Sequence, residues 1–452
     1  MMPDGMTSSL LACATLIARC ASGVERESGV CLAERVNNKH AFFSLRQIAG
    51  QAFNLADSAL VLPARHCQTL MVRRGGGRIT AQDITRAGEG GIPTLVATLV
   101  KQARDGDSEA KESSAAALCS LSTQNHFEHT ELVFEGGAVG PLVQILVSGT
   151  SKAQASAAGA LHALGHQKPE IQAAIVEAGA VVPLVKLLKS GGSKAQEAAA
   201  SALASLDGDV SHQKPVIASG CIPPLVAMLN NSSAAAQAFA SQALGNAAAY
   251  DAIEGQAAIV KAGAVPRLLQ LLGVGKAQTP AAGAIAKLCE RNRTIQLRVA
   301  EAGGIAPLLS LLNCRNKDAQ VAAAAALAEV ARDNEDTQAA ISKAGGIGPL
   351  LALLVSRYPS VQSKGALALG ELARTNADNQ GAIARMGGLK TLVSLLDLDP
   401  AKSQEADVQA HAAHALMEIS CGNSANQQAV VGHGGSARCR IPTRASSYRT
   451  KP

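Results

Sequence analysis

Residues 336–375 read DTQAAISKAGGIGPLLALLVSRYPSVQSKGALALGELART and hold three helical signals in forty residues. The first, DTQAAISKAG, ends on Gly345, a residue free to take positive φ and turn the chain sharply. Four residues later Pro349 falls in the first turn of the next helix, where its missing N–H costs nothing. Leu350, Leu351, Leu353 and Leu354 then stand at i, i+1, i+3 and i+4, a stripe wide enough to bury that helix. A short polar stretch leads into a longer third helix, VQSKGALALGELART, from Val361 to Thr375.

The central phrase, G-[G/A]-[I/V]-x-P-L-[L/V]-x-L-L, recurs along the chain. It starts at Gly90, Gly137, Gly179, Gly220, Gly263, Gly303, Gly345 and Gly387, and a ninth start at Gly434 fails after GGSARCRIPT. The starts are 40 to 47 residues apart, outside the 33 or 34 of ankyrin and TPR arrays and inside the armadillo and HEAT range. Pro141, Pro183, Pro224 and Pro307 repeat the place of Pro349, and AQVAAAAALAEVARD (Ala319 to Asp333) repeats the long third helix. Each unit thus contains a short, a medium and a long helix.

At 452 residues the chain exceeds what one hydrophobic core supports, so it is either several domains or one stack of repeats. Composition favours the stack. Hydrophobic residues make up 47% but aromatics only 2%, with no Trp, so Ala, Leu, Val and Ile supply the packing and suit closely spaced helices. The net charge of +6 is uneven: 10 basic and 7 acidic residues in 1–89, 26 and 28 in 90–432, and 5 and none in 433–452. The nearly neutral body lacks the electrostatic footprint of a nucleic-acid binder.

Ten Cys are scattered with no C-x-x-C pair, and Cys119, Cys221 and Cys289 fall in or beside apolar helical patterns, as reduced cysteines used for packing. The expected location is the cytoplasm, with the nucleus as a second compartment. No run reaches the roughly 18 apolar residues of a transmembrane helix. The apolar stretch Ser8–Ala18 has no basic residue before it and is not read as a signal peptide.

With three helices in each unit of about 42 residues, the chain resembles the armadillo-repeat family over residues 79–424. The resemblance implies an all-α, right-handed superhelical solenoid of about eight repeats. Residues 1–78 are left as a divergent region, partly disordered or a degenerate cap around Ala41 to Leu60, and 425–452 as an incomplete ninth repeat and basic disordered tail. It also implies that the third helices line a concave groove for extended peptides or partner proteins. Family members that bind nuclear localisation signals carry an Asn ladder there, with a Trp one turn earlier. The matching positions here are Ser120, Ala163, Ser205, Asn246, Lys287, Glu329, Glu371 and Glu418, and of these only Asn246 keeps the family residue. A nuclear-import receptor is therefore disfavoured.

Glu329, Glu371 and Glu418 form either an acidic strip for a basic extended segment or, through Arg332 and Arg374 at i+3, a neutralised solvated face; the second is the expectation. His162, His166, His411 and His414 lack metal-ligand spacing with carboxylates or Cys and are read as surface or groove residues. RRGGGR (73–78) lacks the G-K-[S/T] ending of a phosphate loop and reads as a linker. No catalytic motif, metal site or cofactor is expected. The expected function is a protein-binding scaffold or adaptor, with self-association through an uncapped C-terminal repeat. The alternatives are a substrate-recognition subunit of a ubiquitin ligase assembly and a membrane-tethered organiser; against the latter, Met2 stands where myristoylation needs Gly.

Overall fold

The structure, a computed structural model, describes residues 91–124, 128–166, 168–206, 210–231, 233–250, 254–397 and 403–433. The expectations for residues 1–78, for the opening helix of the first repeat and for the tail from Gly434 lie outside these residues.

Twenty-four α-helices follow one another with no strand among the described residues. In the order short, medium and long, the repeats run as follows. The first is α1 (Ile92–Asp105) and α2 (Ser108–Gln124). Then come α3 (Glu128–Glu135), α4 (Val139–Ser148) and α5 (Ser151–Gly165), followed by α6 (Pro169–Glu177), α7 (Val181–Ser190) and α8 (Ser193–Ala204). The fourth and fifth are α9 (Val210–Ala218), α10 (Ile222–Met228) and α11 (Ala234–Tyr250), then α12 (Glu254–Lys261), α13 (Ala264–Leu271) and α14 (Gln278–Cys289). The sixth and seventh are α15 (Arg293–Glu301), α16 (Ile305–Leu312) and α17 (Lys317–Ala331), then α18 (Glu335–Lys343), α19 (Ile347–Leu353) and α20 (Pro359–Ala373). The eighth is α21 (Ala377–Arg385), α22 (Gly388–Leu395) and α23 (Ser403–Ser420). A last helix, α24 (Ser424–Gly432), packs on all three helices of the eighth repeat and is the ordered part of the ninth unit.

The glycines act as their positions predict. Gly137, Gly179, Gly220, Gly263, Gly303, Gly345 and Gly387 all have φ between 72° and 80°. The two helices flanking this turn meet at 78° at Gly137 and Gly179 and at 84° at Gly303. The bend lets both lay their apolar sides on one core, which takes in Leu142, Leu184, Leu225, Leu268, Leu308, Leu350 and Leu392, all at 0% exposure. Cys221 and Cys289 are buried in it as free thiols, and burial pushes Cys221 up to about 11.

Third helices pack on one another side by side through the whole stack, whereas successive second helices touch over only a few positions. Alanines with no exposed surface, among them Ala157, Ala199, Ala240, Ala281, Ala323 and Ala366, make this close approach possible. A stack tight on one side and open on the other curves toward the tight side, so the third helices form its inner surface.

Two rows of glutamine tie the stack together. Within a repeat, a Gln early in the third helix donates to a carbonyl at the end of the second: Gln154 to Leu146 at 2.9 Å, Gln196 to Leu188 at 2.9 Å and Gln320 to Leu312 at 3.0 Å. Between repeats, a buried Gln of the short helix bonds the carbonyl ends of two third helices. Gln296 Nε2 reaches Cys289 O at 3.2 Å and Glu329 O at 2.8 Å, and Gln338 Nε2 reaches Ala331 O at 3.1 Å and Glu371 O at 2.9 Å. The Gln oxygen accepts from the Asn that caps the following short helix, Asn334 to Gln296 at 3.0 Å and Asn376 to Gln338 at 3.1 Å. The same Asn caps its own helix, Asn334 accepting from Thr337 N and Asn376 from Asn379 N.

Replacing Gln338 with Ala strands this buried set of acceptors and the Asn376 amide, and is expected to cost about 2–3 kcal/mol in urea unfolding. The control is Gln427→Ala, at the exposed end of the row with one bond to Ser420 O, where the loss should stay below about 0.5 kcal/mol. Gly345→Ala, forced into positive φ with open space around the new Cβ, should cost about 1–2 kcal/mol from backbone strain alone.

Candidate interaction groove

The eight positions singled out from sequence lie in one row near the C-terminal ends of the third helices, and the structure divides them. Ser205, Asn246 and Glu371 are buried, while Ser120, Ala163, Lys287, Glu329 and Glu418 are half-buried. The row is largely a seam between neighbouring repeats, not an open ladder of ligand-facing groups.

Asn246 shows why. Its amide donates to Ala204 O of the preceding repeat at 3.0 Å, and its oxygen accepts from Lys287 Nζ of the following one at 2.8 Å. The residue that matched the family's ligand-clamping Asn is 6% exposed and holds three repeats together. Ser205 Oγ bonds Ala202 O at 2.8 Å and Ser120 Oγ bonds Ala116 O at 3.0 Å, so both hydroxyls are spent on their own helices.

In repeats six to eight the seam becomes an ion-pair chain. Arg332 grips Glu329 with two hydrogen bonds, of 3.0 Å from Nε and 2.9 Å from Nη2, and its Nη1 lies 3.1 Å from Glu371. Arg374 lies 3.3 Å from Glu371, 3.4 Å from Asp333 and 3.6 Å from Glu418. The i,i+3 neutralisation expected from sequence is present for Glu329–Arg332 and Glu371–Arg374. The solvated face is not: Glu371 is 1% exposed, because Arg332 of the previous repeat and Arg374 of its own close over it.

Burial weighs differently on the members of this chain. On Arg332 burial, which lowers the pKa, is outweighed by Glu329, Glu371 and Asp333, and the guanidinium sits above its ordinary value. On Glu371 burial dominates over both arginines, and the carboxyl is raised. Ionised Glu371 therefore works against folding: its contribution is fully present below the ordinary Glu value and lost as pH rises through the raised one.

Three of the four histidines read as surface or groove residues are half-buried and partnered. His162 Nδ1 donates to Ser201 O at 2.9 Å, and its ring meets the Phe239 ring at 5.5 Å. His411 Nδ1 is 2.8 Å from Ser363 Oγ. His414 Nε2 is 3.0 Å from Arg374 Nη2, which has only protons to offer, so the imidazole accepts there and is neutral. Burial, with Arg374 and Arg332 adding to it against Glu418, lowers the His414 pKa.

The open part of the inner surface lies at the other end. A cleft of about 740 Å³ crosses the N-terminal halves of α2, α5 and α8, lined by Ala116, Ala155, Ser156 and Ala195, with Glu109 and Glu112 on α2, Lys152 on α5 and Lys194 on α8. Among the described residues no group of three His, Cys, Asp or Glu is placed to hold a metal, and no single helix is long and apolar enough to cross a membrane.

Similarity to known proteins follows the same geometry. The armadillo/beta-catenin-like repeat model matches residues 168–206 and 296–332, and a HEAT-like repeat model matches 193–247. Among solved structures, an engineered protein is 32% identical over 84% of this chain and 86% of its own, with a TM-score of 0.65. A designed armadillo repeat protein in complex with the peptide (KR)4 is 27% identical over 52% of this chain and 99% of its own, with a TM-score of 0.47. No curated protein sequence gives a significant match.

Glu371→Gln keeps the volume and removes the cost of a buried charge, so it should change stability at pH 7 by less than about 1 kcal/mol. The double variant Arg332→Ala, Arg374→Ala leaves that carboxylate buried and unpaired and should lose about 3–5 kcal/mol. As pH rises from below the ordinary Glu value, the native chain should lose stability relative to Glu371→Gln. As pH falls below the ordinary His value, it should lose stability relative to His414→Gln, because an imidazolium would face Arg374. Chemical unfolding across pH reads both.

Proposed function

Because the chain belongs to the armadillo-repeat family, we propose that it is a scaffold that holds partner proteins along its inner row of third helices and carries out no catalysis of its own. Solenoids of this type are typically non-enzymatic binding scaffolds, and a stack of repeats offers a long surface whose positions vary independently. The observation that carries the reading is the cleft over α2, α5 and α8, where three successive third helices present small side chains and charged groups to one continuous hollow. Its volume falls in the range of ligand sites, and its floor leaves room for a partner's main chain. The row Glu329, Glu371 and Glu418 in repeats six to eight supports the same placement, since it is engaged with Arg332 and Arg374 and leaves little for a ligand.

The test is position-dependent photo-crosslinking. A benzophenone amino acid at Ala155, on the inner surface, should capture the same proteins in repeated pull-downs from cell extract. The same group at Lys390, exposed on α22, should not capture them. Capture from Lys390 and none from Ala155 would remove the inner surface as the binding site.

A further inference from the structure

The two ends of the inner surface treat charge in opposite ways. In repeats six to eight each carboxylate of the row lies within 4 Å of an arginine, so the row Glu329, Glu371 and Glu418 offers a ligand no unpaired carboxylate. In repeats one to three, Glu109, Glu112, Lys152 and Lys194 are the charged groups lining the cleft, and none forms an ion pair with another described residue. Glu112 accepts one hydrogen bond, from Thr150 Oγ1 at 3.0 Å, and is otherwise open to the cleft. The charges are also sorted: both acids stand on α2, and the two bases stand one each on α5 and α8.

Neighbouring packed helices are about 8–10 Å apart, so α8 lies about 16–20 Å from α2 across the cleft. An extended chain advances about 3.3 Å per residue and covers that span in five to six residues. From this sorting, with Lys152 on α5 at half that span, we infer that the cleft binds an extended segment of a partner protein whose basic and acidic side chains are separated by about three to six residues. The basic side chains lie over Glu109 and Glu112, and the acidic ones over Lys152 and Lys194. This rests on the scaffold reading above and adds the charge pattern of the ligand. A wholly basic segment meets Lys152 and Lys194, and a wholly acidic one meets Glu109 and Glu112, so each loses at one end what it gains at the other.

Fluorescence anisotropy on the full chain with three labelled peptides decides it. One carries Lys-Lys and Asp-Asp blocks separated by a Ser/Ala spacer, the second has the same composition with the charges alternating, and the third is the chain's own residues 437–452, with five bases and no acid. The block peptide is expected to bind about tenfold more tightly than the alternating one, the effect of two or three exposed ion pairs gained together. In Lys152→Glu, Lys194→Glu the block peptide should weaken about tenfold and the 437–452 peptide should overtake it. All four positions are surface groups, and unchanged circular dichroism and melting identify variants that still fold. Equal binding of block and alternating peptides, a preference of the native chain for 437–452, or no binding of any peptide overturns the inference. If crosslinking from Ala155 still captures partners in that event, the scaffold reading survives without it; if capture moves to the outer face, the scaffold reading has failed first.

Discussion

The buried glutamine of the short helix is the contact on which the stack depends. A helix end leaves carbonyls without partners, and here two such ends, from successive third helices, come together beneath the next short helix. One primary amide satisfies both: Gln380 Nε2 reaches Ala373 O at 3.3 Å, Glu418 O at 2.9 Å and Cys421 O at 3.1 Å. Its oxygen accepts from Asn423, the cap of the following helix, at 3.4 Å. The spacing of two third helices and the start of the next repeat are thereby set by a single side chain. In the third repeat Lys168 stands where the cap Asn would be, and its Nζ instead pairs with Glu131 at 2.8 Å.

Fixing that spacing governs what else the inner surface can do. Third helices held this close need Ala and Gly where they touch, as at Gly245, whose missing Cβ would lie 3.1 Å from Ala284 Cα. Residues beside the contact then reach their counterparts in the next repeat, which is how Asn246 meets Lys287 and Arg332 meets Glu371. A charge drawn into such a seam loses water and must be compensated inside the protein, and Glu371 with two arginines is the outcome.

Much of this was legible in the sequence. The phrase beginning at Gly345, its recurrence, the prolines and the leucine stripe establish the helix triplets and the turns between them, because they depend on residues a few positions apart. The inter-repeat glutamine was missed, although EIQAAI, EGQAAI and DTQAAI carried its signal, a polar residue at the same place of an apolar face at Gln172, Gln256 and Gln338. A polar group that returns once per repeat on a buried stripe marks an inter-repeat bond. The burial of Glu371 was not legible, because it depends on Arg332, 39 residues earlier, reaching across from another helix. Asn246 misled for a related reason: the sequence shows the residue type, but whether its amide faces a ligand or a neighbouring carbonyl depends on how closely the third helices approach.

That choice between neighbour and ligand limits any groove made from stacked repeats. A polar side chain on the inner surface has one set of hydrogen bonds to give, and bonds given to the adjacent repeat are lost to a partner. Repeats six to eight have spent theirs: Glu329, Glu371 and Glu418 are each within ion-pair distance of an arginine. Repeats one to three have not, since Glu109, Glu112, Lys152 and Lys194 face a hollow lined with small residues. On the proposed function, the stack separates rigidity from recognition along its length. The charged seam of the C-terminal half ties its repeats to one another, whereas the four charges at the N-terminal cleft form no ion pair with another described residue.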